Sequence, residues 1–239
     1  MSILSKLAEE KSIKLKGGLY HQSQVRFCYN SNRIEGSRLS EEQTRYIFET
    51  NTINTASDDT ANVDDIIEAA SHFTCFDYMI DTASKDLSED IIKEFHRILK
   101  SNTSDSKKEW FNVGNYKSKP NMVGDMETTA PKDTAKAISD LLVSYNGKQA
   151  VSFEDIVEFH YLFEKIHPFQ DGNGRVGRMI MFKECLKFGV MPFIIDERHK
   201  LFYYRGLKEF KTAPGYLLDT CRSAQDVYEK LVMYFEDKQ

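Results

Sequence analysis

Apolar residues recur at spacings of three and four along most of the chain, the period of an amphipathic α-helix, and one stretch departs from it. Ser40, with Gln43 three residues on, forms a capping-box pair ahead of Tyr46, Ile47 and Phe48, and predicts a helix running to about Asn54. Val63, Ile66, Ile67, Ala70, Phe73 and Asp77 carry the same period toward Ile80, and Ser88 caps a further helix bearing Ile91, Ile92, Phe95 and Leu99. Helices are also expected at about 132–145 and 153–166, and then over 176–188, 197–210 and 224–235. With the N-terminal segment the total is roughly eight to ten. The exception, 110–129, contains Gly114, Pro120, Asn121 and Gly124, and Pro followed by Asn suits the centre of a tight turn. Its flanks, 113–116 and 122–123, are too short for a sheet of their own, so they predict a hairpin flap at about 113–126 lying on a helical body. The polar connectors 57–60 and 101–107 have loop length only, and no internal repeat is visible. The expectation is one mostly α-helical domain. Residues 1–60 would supply N-terminal helices, 61–215 the core, and 216–239 a C-terminal helix of the same domain.

Composition narrows the function. A chain of 239 residues, 41% hydrophobic and 29% charged, is long enough for a real core and is neither low-complexity nor disordered. Its net charge of -5 provides no basic field for nucleic acid or anionic lipid. The N-terminus places charges every few residues and no long apolar run occurs anywhere, so a cytoplasmic, membrane-free protein is expected. Cys28, Cys75, Cys185 and Cys221 lie far apart with no CxxC, which suits reduced, packed thiols.

The informative segment is Ile166-His167-Pro168-Phe169-Gln170-Asp171-Gly172-Asn173-Gly174-Arg175-Val176-Gly177-Arg178. Ile156, Phe159, Phe163 and Ile166 form one helical stripe capped by Ser152 and Asp155, and Pro168 ends that helix, so it delivers His167 to a loop. Val176, Met179 and Ile180 then resume helical spacing, which puts Gly172, Asn173 and Gly174 at a helix N-terminus with unpaired N–H groups, a site for anions. Arg175 and Arg178 fall on one side of the first turn, within reach of polyphosphate oxygens. Asp171 beside them suits Mg2+, which takes few protein ligands and uses the nucleotide for the rest. His167 can accept a proton near neutral pH. Phosphoryl or nucleotidyl transfer follows.

The run HPFQDGNGRVGR resembles, at every signature position, the HxFx(D/E)GNGRxxR motif of the Fic family of protein adenylyltransferases, with the likeness covering roughly 90–210. The resemblance implies a helical Fic domain in which His167 deprotonates a Ser, Thr or Tyr hydroxyl of a target protein for attack on the α-phosphate of ATP. It further implies Asp171 holding Mg2+, Gly172, Asn173 and Gly174 cradling phosphate, and Arg175 and Arg178 on the β- and γ-phosphates, with Phe169 anchoring the loop. The flap, with Tyr116, Met122, Val123 and Gly124, would align a target segment by strand-like pairing. Tyr203 or Tyr204 would sit near adenine, the alternative being core aromatics on a helix stripe.

Upstream, Ser31-Asn32-Arg33-Ile34-Glu35-Gly36 resembles the (S/T)xxxE(G/N) motif of self-inhibited Fic proteins, which implies Glu35 pairing with Arg178 in the place of the γ-phosphate. Transfer of UMP, phosphate or phosphocholine, removal of AMP, a non-catalytic nucleotide sensor and a homodimer stay open. Gly172 to Gly177 also satisfies GxGxxG with Asp196 downstream, but a dinucleotide site needs a strand before the glycines. His160, Glu164 and His167 contain half of a diiron signature without its second half, which leaves His160 as a packed side chain near the loop.

Overall fold

The computed structural model describes residues 2–54, 60–124 and 126–236. Ten α-helices are present among them: α1 (Ile3–Ser12), α2 (Leu19–Ile34), α3 (Glu41–Thr50), α4 (Val63–Thr82), α5 (Glu89–Lys100), α6 (Pro131–Asn146), α7 (Phe153–Ile166), α8 (Asn173–Phe188), α9 (Lys200–Glu209) and α10 (Gly215–Glu236). The two strands, β1 (Met122–Val123) and β2 (Met126–Glu127), pair antiparallel with Met122 opposite Glu127 and Val123 opposite Met126.

The capping boxes appear where the sequence places them: Ser40 with Gln43 opens α3 and Ser152 with Asp155 opens α7. Four boundaries differ from expectation. Helix α3 stops at Thr50 because Asn51 adopts a left-handed cap, short of Asn54. Helix α10 begins at Gly215, well before Ala224. The element expected at 197–210 divides into a 3-10 turn, Glu197–His199, capped by Asp196, followed by α9. The hairpin turns after Val123 through Gly124, whose φ is 56°, so 113–116 is not one of its strands and Pro120-Asn121 leads into it rather than forming its tip. The connector 57–60 lies largely, and Asp125 of the flap wholly, outside the described residues.

Helix α8 is the centre of the molecule. Val176, Met179, Ile180 and Phe182 enter a core shared with Phe27 of α2, Phe76 and Met79 of α4, Phe95 and Leu99 of α5, and Phe159 and Phe163 of α7. A helix surrounded on most faces has few solvent positions for charge, so Lys183 and Glu184 are buried as a pair at 2.7 Å, with Lys183 also donating to the Lys85 carbonyl at 2.7 Å. A second cluster joins the other side of α8 to α9 and α10 through Met181, Cys185, Tyr203, Leu217 and Cys221. All four cysteines are free and buried. No helix of the described residues is long and apolar enough to cross a membrane.

Candidate nucleotide site

The site forms where α7 ends and α8 begins. Helix α7 stops at Ile166 because His167 precedes Pro168, and His167 becomes a left-handed C-cap with φ 51° whose N–H still bonds the Phe163 carbonyl at 2.8 Å. For a residue other than glycine this backbone is uncommon and persists only where its surroundings hold it. The loop is fixed from within by Phe169, fully buried and stacked on His96 with ring centroids 4.0 Å apart. Asn173 clamps it: its Oδ1 accepts from the Phe169 N–H and its Nδ2 donates to the Phe169 carbonyl, both at 2.8 Å. The Asn173 side chain is therefore committed to the loop, which leaves its backbone N–H as the group that can serve an anion. Gly172 starts α8 with φ 79°, a conformation that favours glycine. At Gly174 any Cβ would lie 2.2 Å from Glu35 Oε1, so the absent side chain lets α2 approach the helix N-terminus.

Both arginines of α8 are buried and carboxylate-bound. Arg178 donates to Glu35 Oε1 at 2.6 Å, to Ser31 Oγ at 3.0 Å and to the Ser31 carbonyl at 3.0 Å, so the Ser31–Glu35 turn at the end of α2 envelops its guanidinium. Arg175 bonds Glu68 of α4 and reaches Asp171 Oδ2 at 3.2 Å. Lys100, at the end of α5, completes this second cluster by donating to Glu68 at 2.5 Å and Asp171 Oδ2 at 2.6 Å. The flanking cations hold the Asp171 carboxyl far below the ordinary carboxylate range against its burial.

His167 stands at the rim with 18% of its side chain exposed. Its Nδ1 lies 3.3 Å from the Glu164 carbonyl, and with the proton on Nδ1 that bond leaves Nε2 as the free base. Burial first, then the charge of Lys117, pulls its pKa down to about 4, so the ring is neutral at physiological pH. Glu164, one turn earlier on α7, is pushed up to about 8 by burial and by the nearby Glu35, so it is mainly protonated near pH 7.

The remaining expected residues separate. Tyr203 is 1% exposed, its hydroxyl 2.6 Å from His160 Nε2, which makes it a core side chain under Arg178 and corrects its placement near adenine. Tyr204 is open on one side and donates to the Ile34 carbonyl at 3.3 Å, beside Glu35. Tyr116 packs back on Phe169 with its hydroxyl buried, so it belongs to the body and not to the exposed flap, a second correction. Met122 is well exposed and Val123 partly so. The helix before the glycines removes the dinucleotide fingerprint, and Asp196 is a cap bonded to Arg198 and His199.

Glu68, Lys100 and Lys117 were not singled out by sequence reasoning. Glu68 stands in register with buried His72, Cys75 and Met79 on α4, and Lys100 with Ile92, His96 and Leu99 on α5. A charge in phase with an apolar stripe was the available signal.

Residues 86–185 match the family described as Fic/DOC, and this segment spans α5 to most of α8, including the loop just described. Over this segment the chain is similar to the Fic/DOC family. A Fic domain-containing signalling protein of Bacteroides thetaiotaomicron has the same fold, with a TM-score of 0.72 over 98% of this chain and 91% of that one at 24% identity. A Fic-1 structure from Caenorhabditis elegans gives 0.77 over 99% of this chain and 72% of that one at 18% identity. Among curated relatives, the protein adenylyltransferase Fic of Nematostella vectensis is 28% identical over 181 residues, 74% of this chain and 41% of that protein. The Aedes aegypti protein of the same name is 27% identical over 77% of this chain and 36% of its own length. The chain thus spans less than half the length of these relatives. The Fic fold and its helical surround extend beyond the matched segment, since α2, which supplies Ser31 and Glu35, lies outside it.

Proposed function

We propose that this chain is a protein adenylyltransferase that moves AMP from ATP to a Ser, Thr or Tyr hydroxyl of a target protein, and to itself, under restraint by Glu35. The observation that carries the reading is the convergence at one helix start: a neutral imidazole at the rim, the N-terminus of α8 at Gly172–Gly174 with no side-chain cap, and two guanidiniums three residues apart. Helix N-termini and arginine forks bind phosphate oxygens, and neutral histidine accepts a proton. The two named relatives described as protein adenylyltransferases support the same chemistry.

In this mechanism His167 Nε2 takes the proton of the target hydroxyl as its oxygen bonds the α-phosphorus, and the bond from that phosphorus to the β-phosphate oxygen breaks. The N–H groups of Gly172, Asn173 and Gly174, with Arg175 and Arg178, hold the departing pyrophosphate charge. Asp171 fits a magnesium ion as a single hard-oxygen ligand: its side chain is 49% exposed, and the nucleotide would provide the other ligands. Bound there, Mg2+ would neutralise phosphate charge. Among the described residues no group of three or more His, Cys, Asp or Glu is placed to hold a metal, so the protein share of such a site is this one carboxylate. Glu35 on Arg178 occupies a guanidinium that phosphate would need, and Ser31 fixes that pairing. The hairpin at Met122–Val123, with Gly124 at its turn, offers backbone for strand-like docking of the target, and Tyr204 is the aromatic at the edge next to Ile34.

The test follows label into protein from Mg-ATP labelled separately at the α- and γ-phosphates. Label from the α-position alone is expected, raised at least about 10-fold in Glu35→Gly, the scale of a typical coupling free energy, and lost in His167→Ala. Label from γ would make the protein a kinase, and equal labelling by wild type and Glu35→Gly would remove the restraint.

A further inference from the structure

Lys117 is 3% exposed, an unusual place for an ammonium, and it lies just before the flap. Its main-chain N–H donates to the Pro168 carbonyl at 2.9 Å, and its Nζ donates to the Ile166 carbonyl at 3.2 Å. These two carbonyls flank His167. The same Nζ donates at 2.7 Å to both Asn121 Oδ1 and Thr128 Oγ1, at the two ends of the hairpin. Asn121 in turn donates to the Phe169 carbonyl at 2.9 Å. One lysine therefore joins the flap to both sides of the left-handed histidine.

The acceptors are informative. All three oxygens bonded by Nζ are neutral, so the charge is not cancelled by a bonded carboxylate and its field extends to the adjacent imidazole. The Ile166 carbonyl also ends α7, where an unpaired carbonyl and the negative end of the helix dipole favour a cation. A helix C-terminus would by itself stabilise a protonated histidine next to it; here the ammonium takes that position first.

We propose that Lys117 is a positioning residue for His167, clamping the backbone on either side of it and keeping its imidazole in the neutral form that can accept a proton. The inference rests on His167 being the base of the transfer reaction, but its structural content stands apart from that reaction. Opposing Lys117, and favouring the protonated ring, are the backbone carbonyl of Glu164 on α7 and the carboxylates of Glu35 after α2 and Asp171 of the loop. The Glu164 carboxyl, also near the ring, is mainly protonated near pH 7 and adds little charge. The ammonium's own pKa is lowered to about 8 by burial, so it stays mainly charged near pH 7.

The test is an NMR titration of the nucleotide-free protein labelled at histidine Cε1, with the His167 signal assigned through His167→Gln. In wild type His167 is expected to stay neutral down to about pH 5. In Lys117→Gln its midpoint should rise by at least about half a unit, a threefold change in proton affinity, and Lys117→Arg should restore the wild-type curve. Asn121→Asp retains the lysine but places a carboxylate on its ammonium, so it should raise the midpoint too and serves if Lys117→Gln does not fold. An unchanged midpoint in either folded variant overturns the proposal. Because no transfer is measured, failure of the AMP-transfer assay with a normal titration result would indict only the enzyme reading.

Discussion

The two arginines of α8 sit one helical turn apart and are equally buried, yet they are neutralised in opposite ways. Arg175 belongs to a closed cluster: Glu68, 13% exposed, bonds both Arg175 and Lys100, and Asp171 bonds the same two cations. Arg178 has as its acidic partner Glu35, 29% exposed and carried at the end of a helix beside Gly36. A charge held by several partners cannot lose one cheaply, whereas a charge with a single carboxylate partner can exchange it for another anion such as phosphate. The Arg175 end is tied to two carboxylates and a lysine, and the Arg178 end rests on one carboxylate.

The sharpest way to break this contrast is Glu68→Ala, which leaves the buried Lys100 and Arg175 with the half-exposed Asp171 as their one remaining shared carboxylate. It should cost about 3 kcal/mol and lower Tm by roughly 6–12 °C, read by thermal unfolding, while Glu35→Ala should cost less than about 1 kcal/mol. Equal losses would show that the two pairs are of one kind. A smaller effect is expected from Glu164→Gln. The folded-state pKa of Glu164, about 8, lies above its ordinary 4.5, so the stability it contributes is fully present below the unfolded value and is lost as pH rises through about 8. The variant should flatten the fall of Tm between those values, and an unchanged slope would mean that Glu164 is ionised in the native protein. Smallest is Tyr204→Phe, which removes the 3.3 Å bond to the Ile34 carbonyl that steadies the Glu35 turn. It should cost about 0.5 kcal/mol and raise self-labelling less than about 3-fold, far below Glu35→Gly.

Much of this site was legible along the chain because its parts are local. His167, Phe169, Asp171 and the glycines lie within one helix-loop-helix, where Pro168 and the resumed apolar spacing dictate the turn. Glu35 could be marked as a partner for Arg178 only through resemblance, since 143 residues separate them. Tyr203 and Tyr204 were inseparable by sequence: adjacent helical positions face different directions, and only packing against His160 and Ile34 assigns one to the core and the other to the edge.

The order of amphipathic helices, their capping boxes and the chemistry of one loop were determined by the sequence itself, because each depends on residues within a few positions of one another. Tertiary structure alone decided which charges share a site. Glu68, Lys100, Lys117 and Glu35 reach the loop from four separate segments, and only the packing of the assembled helices brings them within hydrogen-bond distance of one another's partners.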